Sequence, residues 1–145
     1  MATFTCNDID GFVLNMEEFA QLPQDTIEGM LESGAKVVQK AHVRSIAKNF
    51  SQRTGRLIGS PSIKMMAKGK NPYALIYPMG THHTYHARKG GDGTARNADV
   101  GFVHEFGGHG NAAKAWMLTA NEECADDAAQ AEENVYDNFL KKLNL

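Results

Sequence analysis

Gly101-Phe102-Val103-His104-Glu105-Phe106-Gly107 is the stretch on which the fold turns. Val100, Phe102, His104 and Phe106 alternate as in a strand, whereas Val100, Val103 and Phe106 also fit a helical turn, and periodicity does not separate the two over so short a run. Gly107-Gly108-His109-Gly110 ends the element in either case, and Asn111 can cap the next one. Glu105 is flanked by Val103 and Phe106, so its carboxylate is expected to be at least partly buried, and a buried carboxylate requires a partner. Arg56 and the backbone N–H groups opening the next helix are the two candidates. No second titrating group is spaced to work with Glu105, so Arg56 and Glu105 are assigned to a structural clamp and not to acid–base chemistry.

Working outward, the last forty residues read as helix. Met117, Ala120, Cys124, Ala128, Ala131, Val135 and Phe139 form one stripe, Glu122, Glu123, Asp126, Asp127, Glu132 and Glu133 cover the other side, and Lys141 and Lys142 complement the dipole at the end. On the N-terminal side, residues 79–98 hold four glycines, three histidines and no sustained apolar pattern, which predicts a long exposed loop or a mobile lid. Before it, Ser62–Met66 and Tyr73–Tyr77 flank Lys68-Gly69-Lys70-Asn71-Pro72 as a β-hairpin. Further upstream, Asp25 and Glu28 form a capping box. Ile27, Leu31, Gly34, Val38, Ala41 and Ser45 then recur at helical spacing, giving a helix of about six turns that ends near Phe50. Lys36, Lys40, Arg44 and Lys48 step by four along one edge of it. Residues 1–22 show no sustained period and read as an arm or short strand ending at Pro23.

Helix, hairpin, long loop, third strand and helix make an α+β domain, with a long N-terminal helix and a C-terminal helix packed on a small antiparallel sheet. A chain of 145 residues fits one domain and can bury about 68–70% of its unfolded surface without a disulfide or metal staple. Cys6 and Cys124, far apart in the chain, fit no zinc spacing or disulfide framework, and reduced thiols are expected. The first residues lack a basic segment with an apolar core behind it, and no apolar run approaches the roughly 18 residues of a membrane span. A soluble protein that stays where it is made, with no membrane partner, is the expectation.

The net charge of −2 hides a partition. Residues 36–96 carry twelve Lys/Arg against the single acid Asp92, residues 1–35 carry seven acids and no base, and residues 97–145 carry nine acids against three bases. Such asymmetry suits complementary faces that steer like subunits head to flank, a basic strip presented to phosphate, or acidic and basic segments that pair within one monomer.

No group of residues predicts catalysis. His104 and His109 are five apart with a Gly-Gly pair between them, which breaks the helical spacing of a zinc protease motif. His82, His83 and His86 offer a closer ligand set, with His104 or His109 as a further nitrogen, but a flexible glycine-rich loop holds ligands poorly. The glycines match neither a phosphate loop nor a dinucleotide fingerprint. No catalytic, metal or cofactor residue is assigned. His82, His83, His86, Arg88, Lys89 and Arg96 form a loop set that can touch a DNA backbone or face a channel without reading sequence.

Taken in order, Thr54, Gly55, Arg56 and Leu57, then Ser62 and Ile63, then Phe102, Val103, Glu105, Phe106 and Gly107, then Ala113, Lys114, Trp116, Met117 and Leu118 resemble the neck or tail-completion family of long-tailed double-stranded DNA phages and prophages. The resemblance runs from about residue 25 to the end and rests on the order and spacing of motifs that are individually weak. It departs from the family at Ala112 and Ala115, where prolines usually surround the basic residue, so the last helix is expected to begin earlier. It departs again in the greater length of the Gly/His-rich loop. The resemblance implies a nonenzymatic virion protein of the head–tail interface, assembled in the host cytoplasm without a cofactor. It further implies a ring, hexameric by match to a tail tube, around the DNA channel, touching copies of itself, a head-side connector and tail tube or terminator proteins, with nonspecific duplex DNA nearby. Closed rings of this kind use two different patches per subunit. The alternative within the same class is the tail-terminator ring; outside it stand a histidine-ligated metal hydrolase and a small prophage DNA-binding protein.

Overall fold

The computed structural model describes residues 22–50, 56–69, 71–83 and 94–142. Helix α1 (Gln24–Asn49) is followed by strands β1 (Pro61–Met66), β2 (Tyr73–Pro78), β3 (Thr81–His83) and β4 (Thr94–Arg96), then by helices α2 (Asn97–Phe106) and α3 (Trp116–Lys142). The fold is α+β, with two long helices and, among the described residues, two small antiparallel sheets of two strands each.

Antiparallel packing of α1 against α3 makes the largest interface. Small residues on α1 let the helices approach. A Cβ on Gly29 would stand 3.3 Å from Cγ1 of Val135, and one on Gly34 would meet Cγ and Cδ of Glu132 at 2.9 Å. Two serine hydroxyls stitch the pair at separated levels: Ser33 Oγ donates to the Ala131 carbonyl (3.0 Å) and Ser45 Oγ to the Trp116 carbonyl (2.8 Å). On α3, Trp116, Ala120 and Cys124 recur every four residues and are buried, so one narrow stripe faces α1. Cys124 is a free, buried thiol whose pKa is raised by burial and then by the nearby Asp127.

β1 and β2 form a hairpin in the register Pro61↔Pro78 to Met66↔Tyr73. The two prolines sit at its open end, the position where a missing N–H costs the ladder least. Alternation is plain: Ile63, Met65, Ala74 and Ile76 are half-buried toward α1, while Lys64, Met66, Tyr73 and Leu75 are exposed. Gln24 Nε2 donates to the Ala67 carbonyl at the hairpin tip (2.7 Å) and Gln39 Nε2 to the Pro61 carbonyl at its open end (2.8 Å). The N-terminus of α1 therefore lies at the tip, and the helix runs toward the open end.

Three expectations are corrected. The run 97–106 is helix α2 and not a third strand. Asn97, 6% exposed, fixes its start by donating from its backbone to Gly80 (2.9 Å) and from Nδ2 to the Met79 carbonyl (2.7 Å). The Asp25–Glu28 capping box does not form, because α1 begins two residues earlier: Pro23 is the N-cap, with no side-chain cap, and Asp25 lies inside the first turn. The expected loop 79–98 is paired at both ends, Thr81↔Arg96 to His83↔Thr94, as a second two-stranded sheet. Its middle, residues 84–93, lies outside the described residues, as do residues 1–21 of the expected arm.

Glu132 lies across Gly34 with no polar partner among the described residues, and burial raises its carboxyl pKa above the usual value. A raised acid pKa means that the ionised form costs stability above the folded-state pKa, and that this cost fades as pH falls from there toward the unfolded value. Glu132→Gln should therefore be more stable than wild type at pH 7, with a difference that shrinks near pH 5, as read from urea midpoints at the two pH values.

Candidate assembly corner

At the C-terminal end of α1, helices α2 and α3 meet in a corner built on Trp116. Its indole is completely buried. Nε1 donates to the Gly101 carbonyl (3.0 Å), and Gly101 is the notch that admits the ring: a Cβ there would stand 3.0 Å from Pro78 Cγ and 3.4 Å from the indole. From α1, His42 packs edge-on at 5.4 Å and Phe50 at 6.4 Å between ring centroids. His42 is itself buried and bonds through Nε2 to Asn121 Oδ1 (2.8 Å). Because that oxygen only accepts, Nε2 donates, and Nδ1 is left without a partner.

The link between α2 and α3 is a tight reversal. Gly107 ends α2 at φ 82°, and a Cβ there would meet the backbone of Ala113 at 3.0 Å. Gly108 and Asn111 then exchange backbone hydrogen bonds (3.0 and 2.9 Å) around His109 and Gly110, both at positive φ, as in a type I′ turn. Asn111 belongs to this turn and does not cap α3.

The returning chain closes α2: the N–H groups of Lys114 and Ala115 donate to the carbonyls of His104 (2.8 Å) and Glu105 (3.2 Å). Ala115 occupies the N-cap position of α3, since its carbonyl accepts from Thr119 (3.0 Å). Alanine has no side chain to cap a helix. Glu105, one helix away, supplies the missing acceptor: its carboxylate, 7% exposed, takes the N–H of Met117 at 2.6 Å and of Leu118 at 3.0 Å. These are the second and third residues of α3, the donors that a capping side chain normally satisfies, and they lie at the positive end of a 27-residue helix. Among the two partners considered for Glu105, the structure thus uses the backbone of the next helix. Arg56, the other clamp residue, is exposed.

Lys114 ties the corner back to α1. Its Nζ donates to the Asn49 carbonyl (2.7 Å), the last residue of α1, and sits 4.4 Å from the centroid of Phe50. Phe50 also packs on His104 (4.6 Å between centroids). Burial first, and then the Lys114 charge, lower the His104 pKa, so the imidazole is neutral at neutral pH. α3 begins at Trp116 and not earlier, because Ala115 turns left-handed (φ 44°) to aim the chain into the corner.

Outside this frame, Phe102 and Phe106 are stacked (6.2 Å between centroids) on the solvent face of α2, and Phe106 is 76% exposed. Leu118, whose N–H is held by Glu105, is exposed as well. The sequence placed Phe102 and Phe106 in a motif without assigning them an outward face; their spacing of four within a helix was the available signal. Gly101, Ser45 and His42 were not singled out for the roles they take, and only the tertiary contacts reveal them.

The remaining predicted residues scatter. Leu57 is half-buried beside the exposed Arg56, and Thr54 and Gly55 lie outside the described residues. The backbones of His82 and His83 belong to β3, whereas their side chains, and His86, Arg88 and Lys89, lie outside the described residues. Arg96 is held by a two-pronged bond to Asp99 (2.8 and 2.9 Å), which raises its pKa and matches its charge locally. Among the described residues, no three His, Cys, Asp or Glu are placed to hold a metal, and no helix is long and apolar enough to cross a membrane. In the basic row of α1, Lys36 pairs with Glu32 (2.6 Å), and Lys40 and Arg44 line a cleft of about 510 Å³ with Glu123 and Asp127 of α3.

No protein-family model matches the chain, and neither a curated protein nor a solved structure matches it.

Glu105→Ala leaves two N–H groups at the start of α3 without their acceptor and should cost about 2–3 kcal/mol in urea unfolding, with Glu105→Gln intermediate. Ala115→Gly should raise stability by about 0.5–1 kcal/mol in the same assay, because glycine takes the left-handed conformation freely and is the better N-cap residue.

Proposed function

We propose that this chain is a nonenzymatic structural subunit of a phage virion, acting at the head–tail interface in a ring around the DNA channel and helping to attach the tail to the head. The observation that carries the reading is that Glu105, Gly107, Lys114 and Trp116, which bear the resemblance to neck and tail-completion proteins, perform one joint task. Glu105 caps the helix that Trp116 opens, Trp116 fills the notch between α1 and α2, and Lys114 caps α1. Residues of a motif that converge on a single rigid corner support a common architecture better than the same residues dispersed would.

The corner's surface supports an assembly role. Phe102, Phe106 and Leu118 are exposed together around it, and a cluster of exposed large apolar side chains is a common mark of a protein–protein contact. Two charged groups at the corner are engaged in structure: the Glu105 oxygens accept from backbone N–H groups, and the Lys114 ammonium donates to a carbonyl. Neither is poised for proton transfer to a substrate.

Peptide mass spectrometry of purified particles from the phage or induced prophage that encodes the chain should detect it in the tail-bearing virion. Native mass measurement of the purified protein, alone and with the tail-tube protein, should show a closed oligomer, with six copies expected. Absence from the particles would overturn the proposal.

A further inference from the structure

Two exposed apolar patches lie at opposite ends of α1. One is the corner patch of Phe102, Phe106 and Leu118, beside the helix's C-terminal end through Ser45, Asn49 and Phe50. The other is the outer face of the hairpin near its tip: Met66 and Tyr73 are cross-strand partners, with Leu75 and Lys64 paired next to them. Gln24, the first residue of α1, is bound to Ala67 beside this second patch. About twenty residues of helix separate the two attachment points, roughly 30 Å at 1.5 Å per residue. The patches therefore sit on different regions of the surface.

Their charges are complementary. Lys64 is exposed within the hairpin block, opposite Leu75. Glu122 is exposed one helical turn beyond Leu118, on the same side of α3. At the corner, Asp99 is already matched by Arg96, and at the tip Glu32 is matched by Lys36. Lys64 and Glu122 have no ion-pair partner among the described residues of the monomer, and each borders an apolar cluster.

We infer that copies of this chain join head to flank, the corner patch of Phe102, Phe106 and Leu118 on one copy seating on the hairpin face of Met66, Tyr73 and Leu75 on the next, with Glu122 meeting Lys64. This identifies the contact within the ring proposed above and rests on that reading. Two different patches at opposite ends of one element make a heterologous contact, the kind that repeats from subunit to subunit and closes a ring when the rotation allows. A self-complementary contact of either patch would end at a dimer. Apolar side chains supply the attraction, and the single charge pair fixes register and rejects the reversed pairing.

The test uses the full chain and native mass measurement, with circular dichroism to confirm that each variant is folded; every altered residue is exposed. Phe106→Ser and Leu75→Ser should each reduce the oligomer to monomer. Mixed together they should form a one-to-one pair and nothing larger, since one copy keeps an intact hairpin face and the other an intact corner. Lys64→Glu and Glu122→Lys should each weaken assembly at least tenfold, and the double reversal should restore it. If wild type assembles and both serine variants still assemble, or if the mixed variants form no pair, the inference is overturned while the ring reading stands. Wild-type protein that stays monomeric even with the tail-tube protein present overturns both.

Discussion

Trp116 is the first residue of α3, and its indole is buried where α1, α2 and the end of β2 converge. That placement governs the rest of the structure. A helix whose first side chain must enter a socket has its origin and direction fixed by that socket, and the antiparallel course of α3 along α1 is the result. The socket requires Gly101, since any Cβ there would press on Pro78 and the indole together. It also requires the indole N–H to find an acceptor out of water, which the Gly101 carbonyl provides. Full burial of such a side chain is worth several kcal/mol, so the penalties around it are tolerated: Ala115 in a left-handed conformation and an unpartnered ring nitrogen on each of His42 and His104.

The capping arrangement is a consequence of that geometry. An ordinary cap lies in the residue just before its helix, but here that residue is alanine, placed to turn the chain sharply into the socket. The acceptor comes instead from Glu105, ten residues before Ala115, and the carbonyls that α2 leaves open are closed by the same returning strand. Each helix thus completes the other's terminus. Stability and orientation are coupled, because neither end can be satisfied if the helices separate.

The long helices and the hairpin were legible from periodicity, since 26 and 27 residues of one period, or two six-residue strands around a Gly-Pro turn region, outweigh local ambiguity. α2 was not. Its apolar positions satisfy both periods, and what selects helix is the notch at Gly101 and the reach of Glu105 to the next helix, both defined only once the chain has folded. The partner of Glu105 was narrowed to two candidates because a carboxylate between apolar neighbours must be matched; choosing between them required the position of Ala115. The first-helix capping box failed for a local reason: Pro23 takes the N-cap position, so Asp25 falls two positions too far in.

Part of the charge partition is met within the described residues. Lys40 and Arg44 share a cleft with Glu123 and Asp127, so part of the contrast between the basic middle and the acidic end is balanced within the monomer. Elsewhere, Lys64 on the hairpin and Glu122 near the corner are exposed beside exposed apolar side chains. An aromatic pair on a flexible loop would lose side-chain and backbone freedom when a partner docks, and that loss subtracts from affinity. Phe102 and Phe106 ride instead on a ten-residue helix pinned at Asn97, notched onto Trp116 and bonded through Glu105 to the longest helix of the fold. The ordering has been done in folding. A contact made by such a surface loses little of its apolar burial to immobilising itself.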